Sequence, residues 1–162
     1  DLSLKNHLEE MLERDQAYRT QWILSRQLHH EETQYDIALR LRADSIDSLN
    51  QVEIRQILKE HGFPKKTEVG TSACEAAWII IQHAPLDVQK EYLPMLERAA
   101  TEGNIQAALV AALHDRIDVR EGRPQKYGTQ RNHNGICPLL NKKMVNQWRK
   151  EVGLPPLDEY SK

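Results

Sequence analysis

Two stretches of this chain are apolar on almost every side of a helix, and both end abruptly in polar residues. One runs through Ala73, Cys74, Ala76, Ala77, Trp78, Ile79, Ile80 and Ile81; the other runs from Ile105 through Ala107, Ala108, Leu109, Val110, Ala111 and Ala112 to Leu113. A surface helix carries a single apolar stripe, whereas a helix apolar all round belongs inside. Two such helices in 162 residues predict a mainly α fold in which the other elements cover them.

The remaining periodicities are helical as well. Positions 4, 8, 11, 15, 18 and 22 form one line through Leu2–Leu28, and the one carboxylate on that otherwise apolar line is Asp15. It is expected to face the interior and to pair with an arginine, either Arg19 one turn on or Arg116, and reads equally as a structural ion pair or as part of a site. Asp36 to Arg42 reads as a short helix, and Ser45–Asp47 as a cap before a further helix carrying Leu49, Val52, Ile54, Ile57 and Leu58. Gly62 and Pro64 end that helix next to His61, leaving Phe63 to Thr71 as a loop of the kind that lines sites. Ser72 with Glu75 has capping-box spacing for the first apolar helix, which Pro85 terminates just after Gln82 and His83. Leu86 to Glu102 is amphipathic, contains Pro94, where a kink is expected, and is followed by Gly103.

Beyond the second apolar helix, Asp115 extends the line of Ala108 and Ala111/Ala112, and Arg116 that of Ile105, Leu109 and Ala112. Half-buried charges there need partners close by, because burying an unpaired one costs several kcal/mol. Gly122 and Pro124 stop the helix. Gln125, Tyr127, Thr129 and Gln130 then follow in an extended segment, expected to present hydrogen-bonding side chains on one face. Asn132-His133-Asn134-Gly135 is a turn signal, so one small hairpin is expected near 125–140, with Ile136 to Leu140 returning as its second strand. Asn141 caps a last helix near 141–152, stopped by Gly153, and its Lys142, Lys143, Arg149 and Lys150 read as a solvated face. The Leu-Pro-Pro-Leu tail reads as an extended strap or a linker. The whole is expected to be one domain, 1–162: a helical bundle of about six to eight helices with one small C-terminal β-hairpin.

Asp115-Arg116, five residues, Gly122, two residues, Gln125, then Tyr127-Gly128-Thr129-Gln130 resembles the signature of a bacterial family of helical domains of unknown function. Asp15-Gln16 with Arg19, His61-Gly62-Phe63-Pro64, Ala77-Trp78, Gln82-His83-Ala84 and Gly153-Leu154 are similar to other pieces of that family, so the resemblance spans almost the whole chain. It implies a shared site without a named chemistry. Some of its members resemble exported proteins or lipoproteins, and the chain begins at Asp1 rather than Met, so cytoplasmic and exported locations both stay open.

Composition narrows the function. A formal net charge of −2 supplies no bulk attraction to nucleic acid or acidic lipid, so general nucleic-acid binding is not expected. No apolar run approaches the ~20 residues of a membrane-spanning helix. Cys74 and Cys137 lack Cys-x-x-Cys spacing and read as buried free thiols rather than a disulfide. His29-His30-Glu31-Glu32 looks like a metal cluster, but neighbouring helix residues diverge, and a solvated face or helix junction fits better. No phosphate loop, nucleophile elbow, zinc pair or di-metal motif is present, so neither a cofactor nor a metal is expected.

What remains is polar residues at the ends of apolar helices. If the core helices pack together, one cleft is expected, with His83, Asp115 and Tyr127 in catalytic roles. Asp15, Arg19, Gln82, Arg116, Gln125, Thr129 and Gln130 would bind the ligand. Within it Arg116 would meet an anion, His83 exchange a proton as an imidazole can near neutrality, and Asp115 orient one of them. Two function classes stay open. One is a domain that binds or processes a small polar or anionic molecule; the other is a non-catalytic protein-interaction module whose polar cluster is a rigid network.

Overall fold

The computed structural model describes residues 1–28 and 31–157 and is mainly helical, with one two-stranded antiparallel hairpin. The chain forms two compact units, Asp1–Ala84 and Pro85–Lys162. The first contains α1 (Leu2–Leu28), α2 (Gln34–His61) and α3 (Lys66–His83). The second contains α4 (Leu86–Thr101), α5 (Ala107–Arg120), β1 (Arg131–Asn132), β2 (Gly135–Ile136) and α6 (Val145–Glu151). No helix among the described residues is long and apolar enough to cross a membrane.

In the first unit α1 packs against both α2 and α3. Its interior line is the expected one: Leu8 and Met11 are fully buried, and Asp15 is buried beside them. In α3 the residues Ala73, Cys74, Ala76, Ala77, Ile80 and Ile81 have no exposed surface, as a helix apolar all round requires.

Two expectations for this unit are corrected. The region 34–61 is one continuous helix, so Ser45–Asp47 caps nothing. The start lies at Thr33, whose hydroxyl oxygen accepts from the Asp36 backbone N–H at 3.1 Å while the Thr33 N–H and hydroxyl donate to the Asp36 carboxylate at 2.7 and 2.6 Å. With the helix begun there, its buried line is Asp36, Leu39, Ala43, Asn50, Ile54 and Ile57, and Leu49 and Val52 fall outside it, 58% and 69% exposed. The loop after Gly62 is also shorter than expected. Lys66–Val69 is already helical, and Gly70, at φ 84° and ψ 170°, makes the break before the main body of α3. An L side chain rarely adopts that φ, which is why glycine stands there. Ser72 hydrogen-bonds Glu9 of α1. His29 and His30, of the expected solvated His-His-Glu-Glu face, lie outside the described residues.

The Thr33–Asp36 box gives two expected results. Thr33→Ala lowers the unfolding free energy by about 1 kcal/mol, the usual worth of an N-cap, measurable in a urea melt. Hydrogen bonds from Ser25, then from the side chain and backbone of Thr33, hold the Asp36 carboxyl down at about 2 against its ordinary 3.8. A depressed carboxylate stabilises the fold above its unfolded value, and that contribution is lost as pH falls through the folded value. The melting temperature should therefore fall between pH of about 4 and about 2, and Asp36→Asn should flatten that part of the profile.

In the second unit α4 and α5 pack together. Leu96 and Leu113 are fully buried, with Val110, Ile117, Cys137 and Val145 nearly so. The hairpin is smaller than expected: Arg131 pairs with Ile136 and Asn132 with Gly135, which places His133-Asn134 at the turn. Residues 125–130 are not its first strand. Gln125 makes only an isolated parallel bridge to Leu139, because Asp115 draws the backbone of 126–129 inward. Asn141 caps the turn entering α6 through the N–H groups of Lys143 and Met144. Arg149 does not belong to a solvated face: it is 8% exposed and donates to the carbonyls of Tyr127 and Pro155 at 2.7 and 2.6 Å. The Leu-Pro-Pro-Leu tail packs as a strap, held also by Leu157 N–H to Asn146 Oδ1 at 2.6 Å. Cys74 and Cys137 are free and buried.

Candidate functional site

The first unit gathers four ionisable side chains from its three helices. Asp15 and Arg19 stand one turn apart on α1, Asp47 comes from α2, and His83 ends α3. His83 Nδ1 lies 3.0 Å from both Asp15 oxygens. Arg19 Nη2 donates to both oxygens of Asp47 at 2.7 and 2.8 Å, and its Nε sits 3.5 Å from Asp15 Oδ2. Gln16 donates to Asp15 at 2.6 Å. Side-chain exposure grades outward from Asp15 at 1% to His83 at 18% and Arg19 and Asp47 at 20% each, so the cluster has a closed floor and an open rim.

The two carboxylates respond differently to this setting. Burial pushes Asp15 up, but the hydrogen bond and charge of His83, the charge of Arg19 and the Gln16 amide together hold it below the ordinary carboxylate value. Burial also pushes Asp47 up, and there, with the Asp15 charge adding, the opposing Arg19 and His83 do not bring it back down. Two neighbouring acids in one site are thus driven apart, an arrangement found where a site handles protons or cations.

Asp47 had no role in the sequence reading. The signal was available: once Thr33-x-x-Asp36 is taken as the start of a helix, positions 36, 39, 43, 47, 50, 54 and 57 follow at intervals of three and four, which puts Asp47 on the inward line.

The second unit builds a different polar centre. Asp115 has no exposed surface. Its Oδ1 accepts from the N–H groups of Lys126 (2.8 Å) and Tyr127 (2.9 Å), and its Oδ2 from the N–H and hydroxyl of Thr129 (both 2.9 Å). Gln125, also fully buried, donates to the carbonyls of Gln130 and Cys137 and accepts from the Gln130 N–H. Gln130 in turn donates to the Ala112 carbonyl of α5 at 3.4 Å and to the Thr129 hydroxyl at 3.1 Å. Arg116 and Tyr127 are half-buried, and Lys126 lies over the rings of both Tyr127 and Trp148. Thr129 lines a depression of about 500 Å³ with Ala108, Leu109, Ala112, Gly128 and Arg131.

Asp15, Arg19 and His83 therefore come together with Asp47, the half-buried Gln82 being the residue before His83, while Asp115, Gln125, Thr129 and Gln130 come together around the 126–129 loop. A separate cavity of about 400 Å³ in the first unit is lined by Leu4, His7, Glu53, Gln56 and His61, and none of the Asp15 cluster reaches it.

A family model matches residues 2–162, essentially the whole chain. The chain belongs to the DUF6624 family. Its description is a family of unknown function, so membership carries no activity to this DUF6624 domain. No curated protein and no solved structure matches the chain.

Proposed function

We propose that this DUF6624 domain binds or processes a small polar or anionic ligand, and that His83, with Asp15, Arg19 and Asp47 around it, is the group that meets it. One observation carries the reading. His83 Nδ1 faces a carboxylate that is 1% exposed, while the imidazole itself stays 18% exposed and its Nε2 has no hydrogen-bond partner among the described residues. A buried carboxylate that accepts Nδ1–H fixes the tautomer and the ring orientation, leaving Nε2 as an acceptor for a proton or for a ligand's hydrogen. A network built for rigidity alone satisfies both ring nitrogens from protein. In the second unit, the Tyr127 hydroxyl, without a partner among the described residues, and Thr129, at the 500 Å³ depression, are open to a ligand. Asp115, on α5, and Gln125 hold the 126–130 loop in shape.

A second reading, a protein-interaction module, is favoured by the apolar surface of α2, where Leu41, Leu49 and Val52 are each more than half exposed. A thermal-shift screen of anionic metabolites, nucleotides and sugars separates the two. The proposal expects at least one compound to raise the melting temperature of the wild type, and His83→Gln, which replaces the imidazole by an amide that cannot take up a proton near neutrality, to abolish that response while remaining folded. A ligand response unchanged in His83→Gln, or no response from any compound, overturns it.

A further inference from the structure

We infer that Asp15, Asp47 and His83 form a binding site for a divalent transition-metal ion, to which the small polar or anionic ligand would coordinate. The inference rests on the reading of this cluster as the ligand-facing site and names the ion that site would hold. One carboxylate oxygen from each aspartate and one ring nitrogen of His83 lie within 4.8 Å of one another, and no other group of three histidine, cysteine, aspartate or glutamate side chains among the described residues is so arranged. Bonds of about 2.0–2.2 Å place two donors on one ion at most about 4.4 Å apart, so rotation of a carboxylate closes the difference.

The contrast with the other histidine–carboxylate pairs is informative. His7–Glu53, His61–Glu60 and His114–Glu97 are surface pairs whose members are all a third or more exposed. Asp15–His83 instead has a buried acid, a mostly covered imidazole and a third donor brought by another helix.

Arg19 contacts both carboxylates, Asp47 through Nη2 and Asp15 through Nε at 3.5 Å. Each carboxylate oxygen has two lone pairs, so the aspartates would keep Arg19 as an outer partner while one oxygen of each binds metal. The ion would take the place of the proton on His83 Nδ1, which passes by way of water to Nε2, so that the imidazole stays neutral as the bond to nitrogen forms. One imidazole nitrogen and two carboxylate oxygens suit zinc and its divalent neighbours better than magnesium or calcium, which favour all-oxygen sites. Three protein ligands leave a coordination position open, the place for an anionic group or a water.

The test uses the full chain and Zn²⁺ or Co²⁺ as the probe. Titration calorimetry should show saturable Zn²⁺ binding at one ion per chain with a raised melting temperature. His83→Gln and Asp47→Asn should each weaken it by at least about tenfold, while His7→Gln leaves it unchanged. X-ray absorption of the wild-type zinc complex should show imidazole and oxygen without sulfur, a result that does not depend on any variant folding. No saturable binding, an affinity unaltered in both site variants, or a sulfur-containing shell overturns the inference. Repeating the metabolite screen with a chelator keeps the two readings apart. Ligand responses that persist without metal, together with absent Zn²⁺ binding, sink the metal site alone; Zn²⁺ binding with no ligand response in either condition sinks the ligand reading alone.

Discussion

Asp115→Ala is expected to lower the unfolding free energy by about 3–5 kcal/mol. This carboxylate has no exposed surface and gathers three backbone N–H groups and one hydroxyl from Lys126, Tyr127 and Thr129. Removing it leaves all four donors without their acceptor, and each buried orphan costs about 1–3 kcal/mol. The sum is not reached, because a freed loop turns some of those groups to water. Asp115→Asn should be nearly as harmful, since its amide turns a donor toward other donors. The loss should spread along the loop: Tyr127 offers its carbonyl to Arg149, and Gly128, at φ 70°, sits so close to Leu139 and Leu157 that a Cβ would lie 3.1 Å from each. A urea melt monitored by helical circular dichroism measures the effect. A shift below about 1 kcal/mol would mean that the loop holds its shape without Asp115.

Asp15→Ala is expected to cost about 3 kcal/mol, the low end of what breaking a buried ion pair costs. The carboxylate is 1% exposed and is the shared acceptor of His83, Gln16 and, at longer range, Arg19. One feature keeps the cost at that end: Arg19 retains its two bonds to Asp47 and is not left as an unpaired charge. Asp15→Asn keeps the side-chain volume and one acceptor, so it should lose less stability than Asp15→Ala while still failing to bind Zn²⁺. An unfolding midpoint in Asp15→Ala equal to the wild type would show that the carboxylate contributes nothing to the packing of α1 against α3.

Helical periodicity alone carried much of this fold. The line 4, 8, 11, 15, 18, 22 placed Asp15 inside before any neighbour was known, because side chains three and four apart on a helix share a face whatever they pack against. The run 73–81, apolar but for Glu75, had to be largely buried because the rest of its faces are apolar. The Asn132–Gly135 turn and the stop at Gly153 were equally legible, since both follow from local backbone preference: Gly135 and Gly153 adopt φ of 104° and 79°.

Tertiary structure decided where those local rules compete. Ser45–Asp47 has the composition of a cap, yet the chain stays helical through it because the helix has already begun at Thr33 and Arg19 from α1 occupies the Asp47 carboxylate. Residues 125–130 alternate like a strand, but the partner for their backbone is a side chain eleven residues and more upstream, and no pairing rule along the sequence names Asp115 as that acceptor. Arg149 sits among lysines on α6 and reads as solvated until Tyr127 and Pro155 present it with carbonyls. Local sequence settles which backbone geometry a segment prefers and which face it turns inward. Which charges meet, as Asp15, Asp47 and His83 do from three separate helices, depends on the register in which those helices pack, an energy that exists only once they touch.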